Sequence, residues 1–223
     1  MSRYAQGIGE KGSLRWIQHY VNETPGLLDE AIARSSRGRI ETPIAWLSPR
    51  REDEFAEYRD QAFLDLLNTD LPERQLADFW PRGGPQWDAL GLSQSGQRLL
   101  VEAKANIPEV VSPPSAAGEK SLARISAALD ETARFLGVTS SCDWTGTFYQ
   151  YANRLAHLYL LAELNQIDAW LVFVYFIGDT DVDGPESEAE WKAALTVMHG
   201  ALGLSKRHAL SQRIVDVFVD VRG

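Results

Sequence analysis

The chain has a single cysteine, Cys142, so no internal disulfide can form. That poverty fits a reducing compartment. Its four histidines, His19, His157, His199 and His208, are scattered, and neither a Cys pair nor a His-x-x-x-His spacing suggests zinc. No Gly-x-Ser-x-Gly elbow offers a hydrolase nucleophile. Long apolar runs are missing too. The longest, AWLVFVYFI at 169–177, has nine residues, whereas a membrane-crossing helix needs about 20. The opening MSRYAQGIGEKGSLRW has no apolar core of signal-peptide length. Together these absences predict a cytoplasmic chain with no membrane partner. Positive charge is also scarce: 22 Lys and Arg against 31 Asp and Glu leave a net charge of −9. Such a chain does not coat nucleic acid by bulk electrostatics, although a local positive groove stays open to it. Basic residues do cluster, at Arg34, Arg37 and Arg39 and at Arg50 and Arg51, while the interval from Arg154 to Lys192 holds eight acids and no Lys or Arg.

What is present reads as one folded domain over 1–223, of a size that needs no covalent staples. Residues 12–34 read as two short helices broken at Thr24-Pro25-Gly26. Ser48-Pro49 is a helix-start signal, a capping residue followed by proline. It predicts a helix over 49–67, with Phe55, Arg59, Ala62 and Leu66 along one face. After a Pro- and Gly-rich stretch with ADFWP as a short strand, a hairpin follows with strands near 86–92 and 98–106. Helices at 119–136 and 147–165, a strand at 169–177, a helix near 187–202 and a strand at 214–221 complete the chain. The strand 169–177 is apolar on both faces, which predicts an α/β fold with a mixed central sheet flanked by helices.

Two motif matches lead away from chemistry. Gly7, Gly9 and Gly12 fit a dinucleotide-binding spacing, but only six residues precede them, where that motif requires a strand. A flexible N-terminus is the expectation. DTDVDGPESEAE matches a calcium-loop spacing at Asp179, Asp181, Asp183, Gly184 and Glu190. The incoming element is a strand instead of a helix, so an acidic turn is expected and Ca²⁺ at Asp179–Glu190 is not.

The hairpin is different. Side chains alternate along a strand, so Leu99, Val101, Ala103 and Ala105 share an apolar face, and Leu100, Glu102, Lys104 and Asn106 share the other. A five-residue loop, Ser93 to Gln97, sets Leu92 opposite Arg98, Leu90 opposite Leu100 and Asp88 opposite Glu102. Two facing carboxylates repel, and a divalent cation between them removes the conflict. The plainer reading is a solvent-facing Glu–Lys pair on a half-exposed strand.

Pro85 and Asp88 followed by Glu102-Ala103-Lys104 resemble the signature of the PD-(D/E)XK nuclease superfamily, the restriction-endonuclease-like fold. The resemblance covers roughly 48–177. It implies an α-β-β-β-α-β core, with the helix 12–34 region and the segment 187–221 as additions. It also implies a metal-dependent nuclease that hydrolyses phosphodiesters with a water activated by Mg²⁺ or Mn²⁺. Asp88, Glu102, the Ala103 carbonyl and an acid on the first helix, Glu57 or Glu54 with Glu57 preferred, would be the metal ligands. Lys104 would orient or help deprotonate the attacking water and stabilise charge on the phosphate. The implied partner is DNA or RNA, and cleavage of both strands of a duplex would favour a homodimer.

Residues 148–164 add a polar stripe. Gln150, Asn153, Arg154 and His157 fall within about 100° on a helical projection, on a helix otherwise mostly Tyr, Ala and Leu. A buried polar stripe must meet partners or a cavity, and substrate binding at the active site is the preferred reading over a closed hydrogen-bond network. Ser112 and Ser115 are further cleft candidates. The rival function is a non-catalytic nucleic-acid- or protein-binding module that retains the nuclease fold.

Overall fold

A computed structural model describes residues 2–139 and 142–222. Among the described residues there are seven strands: β1 Arg3–Tyr4, β2 Ile44–Ser48, β3 Glu57–Tyr58, β4 Ala89–Ser93, β5 Arg98–Lys104, β6 Ala169–Ile177 and β7 Ile214–Asp220. The α-helices are α1 Gly12–Asn22, α2 Pro25–Ser35, α3 Gln61–Leu66, α4 Leu76–Phe79, α5 Glu119–Phe135, α6 Tyr149–Tyr159 and α7 Glu188–Ala201. Five strands form one mixed sheet in the order β2-β4-β5-β6-β7. The pairs β2–β4 and β4–β5 are antiparallel, whereas β5–β6 and β6–β7 are parallel. No helix among the described residues is long and apolar enough to cross a membrane.

Alternation along β6 builds both layers of the core. Leu171, Phe173 and Tyr175 pack toward α5 and α6, while Val172, Val174 and Phe176 pack toward α1 and α2. The same holds for β5, whose Leu100 joins the first cluster and whose Leu99, Val101, Ala103 and Ala105 join the second. Both faces of this strand are therefore covered. The hairpin register is as expected from the loop length: Leu92 pairs with Arg98, and Leu90 with Leu100.

Three expectations are overturned. Residues 49–67 are not one helix. Only 61–66 is α-helical, and Glu54, Phe55 and Asp60 have positive φ (53°, 51° and 52°) that a right-handed helix excludes. Contacts from the N-terminus outweigh local propensity here: β1 pairs with β3, and the Arg3 guanidinium binds the Asp53 and Glu54 carboxylates. ADFWP is not a strand, because Leu76, Phe79 and Trp80, at helical spacing, all turn into the core from the single turn α4. The edge strand is instead β2, IAWLS, which ends on Ser48, the residue expected to cap a helix.

The N-terminus is also held rather than flexible. Gly9 N donates to Gln18 Oε1 (2.8 Å), and Gly12 N donates to Asp179 Oδ2 (3.1 Å). Asp179 accepts from Trp16 Nε1 (2.8 Å) as well, so this carboxylate at the head of the acidic turn is filled by protein donors.

Candidate active site

On the polar hairpin face Lys104 is partly exposed, whereas Glu102 does not reach solvent. Glu102 is 1% exposed, under α6. Its Oε1 pairs with Lys104 Nζ at 2.5 Å, and its Oε2 with Arg154 Nη2 at 2.5 Å and Nε at 2.7 Å. The plainer surface-pair reading therefore fails on burial. Arg154 is fixed on every side: Nη2 donates to Gln86 O (2.8 Å), Nη1 to Asn153 Oδ1 (2.8 Å), and the guanidinium lies 4.9 Å from the Trp87 ring centroid. Burial alone would raise the Glu102 carboxyl, but Arg154 and Lys104 together hold it below the usual carboxylate range. Lys104 is pushed up by Glu102 and Asp88 against its own burial, so it stays an ammonium ion.

Asp88 sits just before β4. Its Oδ2 accepts from Ala103 N at 2.7 Å, which aims the carboxyl along the end of the hairpin. Burial, with Glu102 and Glu57 nearby, drives its pKa well above the ordinary value despite Lys104. Glu57 arrives by a route the sequence reading did not foresee. It lies on β3 instead of a helix, and Trp87 N donates to Tyr58 O (3.1 Å), fastening that strand beside Asp88. Gln6 Nε2 (2.9 Å) and Gln86 Nε2 (2.5 Å) both donate to Glu57 Oε2. Burial raises Glu57 too, and Glu102 adds to the effect while the two amide donors oppose it. Glu54 is mostly exposed, paired with Arg3, and takes no part.

Glu57, Asp88, Lys104, Gln150, Asn153 and Arg154 line one open cleft of about 700 Å³. Six of the residues singled out in the sequence thus converge from β3, the hairpin and α6. Ser112 joins them, its Oγ accepting from Gln150 N (2.9 Å); Ser115 does not line the cleft. His157 does not reach it either. That ring is enclosed by Phe63, Trp80 and Trp87, its Nδ1 lies 2.8 Å from Asn153 O, and burial lowers its pKa to about 3. It is a neutral core histidine. Gln86, Tyr149 and Glu109 also line the cleft. Of these, Glu109 carries a sequence signal, the Asn106-x-x-Glu109 capping pattern, with Glu109 N donating to Asn106 Oδ1 at 3.0 Å. Gln6 has no such signal.

The donor set divides in two. Among the described residues, Glu57 Oε1 and Asp88 Oδ1 accept no hydrogen bond. These two carboxyls lie on one cleft, both raised mainly by burial, and Glu57 adds to the rise at Asp88, a fit for a divalent cation. Glu102, by contrast, has both oxygens committed to its two cations. As the side chains stand, no group of three His, Cys, Asp or Glu among the described residues is arranged to hold a metal ion. Comparisons with protein-family models, with curated proteins and with solved structures find no match.

Proposed function

We propose that the chain is a metal-dependent nuclease with a restriction-endonuclease-like core, acting from the cleft between the hairpin and α6. The observation that carries the reading is the convergence of Glu57, Asp88, Lys104 and Arg154, from three separate segments, on one cleft. Packing alone gives no reason to bury four ionisable groups together, and perturbed carboxyls in a cleft mark functional sites. The strand order and directions support it as well. A helical N-terminal part, three antiparallel strands, a helical crossover and a parallel strand follow the α-β-β-β-α-β order. The corresponding stretch would then be about 12–177, beginning at α1 and β2 instead of at residue 48.

In this reading Asp88 and Glu57 would hold Mg²⁺ or Mn²⁺, with the Ala103 carbonyl as the third ligand that the resemblance implies. When bound, such an ion lowers the pKa of a water and polarises the phosphoryl oxygen. Lys104, kept protonated by Glu102, stabilises charge building on the phosphate and orients the water; it is not the base. Arg154 and Gln150 face the same phosphate. Glu102 serves as the anion that fixes both cations, a departure from the ligand role implied by the resemblance.

That departure favours one rival: a non-catalytic nucleic-acid- or protein-binding module on the same fold. A panel of linear, circular, single- and double-stranded DNA and RNA, with Mg²⁺ or Mn²⁺, decides between them. Metal-dependent cleavage that disappears in both Asp88→Asn and Lys104→Ala proteins, each checked for folding, is expected. Binding without cleavage under every condition selects the module.

A further inference from the structure

The cleft has a neighbour. A second open pocket of about 680 Å³ lies beside it and shares Gly83 as a wall. Tyr4, Arg59, Asp60, Trp80 and Arg82 are among its other walls. The two differ in charge. The first is lined by three acids (Glu57, Asp88, Glu109) and two bases (Lys104, Arg154), and the second by two bases (Arg59, Arg82) and one acid (Asp60). The single acid is already engaged, since Asp60 Oδ1 accepts from Gly83 N (3.0 Å) and Gly84 N (2.9 Å).

Both arginines line this pocket. Arg82 is exposed, and its side chain makes no ion pair among the described residues. Arg59 is held in place, its guanidinium 4.4 Å from the Tyr4 ring centroid and bonded to the Tyr4 hydroxyl. Its Nε is nonetheless buried without a hydrogen-bond partner, with Asp60 Oδ2 3.7 Å away. The planar, pre-oriented Arg59 guanidinium on the pocket wall suits a phosphate, although its buried Nε is itself out of a ligand's reach. Between the pockets, Gly83 has φ +91°, and a side chain there would meet nothing within 4 Å, so the ridge is open to a close-passing backbone.

We propose that the cleft and this pocket form one path for a single strand of nucleic acid, with Arg59 and Arg82 holding a phosphate that flanks the one in the cleft. The proposal rests on the nuclease reading and names its substrate class. A single strand suits the geometry because the reactive groups are recessed and the free positive charge lies to one side only. A duplex would have to be met on both flanks.

The test is anisotropy of end-labelled oligonucleotides in EDTA, where metal-dependent cleavage does not intervene. Single-stranded octanucleotides of DNA and RNA, the matching duplexes and a dinucleotide are compared on wild type, Arg82→Gln, Arg59→Gln and Lys104→Ala proteins. Losing one phosphate contact should weaken octanucleotide binding about tenfold. It should also reduce the slope of log affinity against log salt by about 0.7 per arginine, with little change for the dinucleotide. Arg82 is exposed, so its variant tests the point even if Arg59→Gln folds poorly. Unchanged octanucleotide binding in both arginine variants, with loss in Lys104→Ala, would sink the pocket and leave the cleft standing. Duplex bound as tightly as single strand would overturn the strand assignment. A wild-type protein that binds no oligonucleotide in EDTA would overturn this proposal alone, the nuclease reading being decided by the cleavage panel with Mg²⁺ or Mn²⁺.

Discussion

Glu102 and Asp88 sit at one end of one hairpin, yet the protein treats them in opposite ways. Glu102 is the counter-ion of two buried cations, and removing its charge strands both of them. Glu102→Gln should therefore destabilise the fold by about 3–5 kcal/mol, the usual consequence of breaking a buried ion pair from one side. Asp88 has no such partner, and its raised pKa means that the folded state resists its ionisation. Below the unfolded pKa the carboxyl is neutral in both states and this opposition is absent. As pH rises through the folded pKa, stability is lost. Asp88→Asn keeps an acceptor for Ala103 N and removes that loss, so it should raise the denaturation midpoint at pH 7, by more than at pH 4. Denaturant titrations of both variants at the two pH values check this. If Asp88→Asn proves destabilising at pH 7, the strained-carboxyl account fails.

The elements follow the sequence where local pattern and tertiary contact agree. The helices α1, α2, α5 and α7, the strands β6 and β7, and the hairpin register were all legible, because their apolar periodicity is also what the core needs. Legibility broke at 44–60. There Ser48-Pro49 looks like a helix start, but Arg3 and β1, more than 40 residues earlier, capture Asp53 and Glu57–Tyr58. No window on the local sequence contains that contact. Even so, Glu57, which the resemblance implies as an acid on the first helix, reaches the cleft on a strand instead. His157 erred the other way, since helical projection placed it on the stripe without showing that Phe63, Trp80 and Trp87 close over it.

The acidic turn after β6 offers a test at this scale. Gly184, which occupies a calcium-loop position, is needed for closeness, because a side-chain carbon there would lie 2.6 Å from Ala105 O and 2.9 Å from Asp179 O. Gly184→Ala must move backbone and should cost about 1–3 kcal/mol. Asp179→Ala should cost a similar amount, by orphaning the Gly12 and Trp16 donors. Thermal denaturation with and without Ca²⁺ checks both; a calcium-dependent rise in midpoint that Asp179→Ala abolishes would return this turn to metal binding.

For the whole molecule the decisive quantity is charge. At −9 the protein repels a polyanion at long range, and its first cleft is lined by more acids than bases. Nucleic acid can settle there only if a cation enters or if positive charge is concentrated elsewhere, as at Arg59 and Arg82. The first condition ties metal binding to protons. Asp88 and Glu57 have raised pKa values, so a divalent ion has to compete with protons for them. Mg²⁺ affinity should accordingly rise with pH, and calorimetric titration at pH 6 should give heats that depend on the buffer's ionisation enthalpy, with protons released. Diffuse attraction of cations to a net-negative surface would produce binding too, but it is screened at about 0.15 M salt and releases no protons from particular groups. Titrations at that salt in two buffers separate the two causes. Proton-linked binding that disappears in Asp88→Asn locates the metal at the hairpin, whereas buffer-independent heats shared by wild type and variant would leave Asp88 and Glu57 as a carboxyl pair with no metal to relieve it.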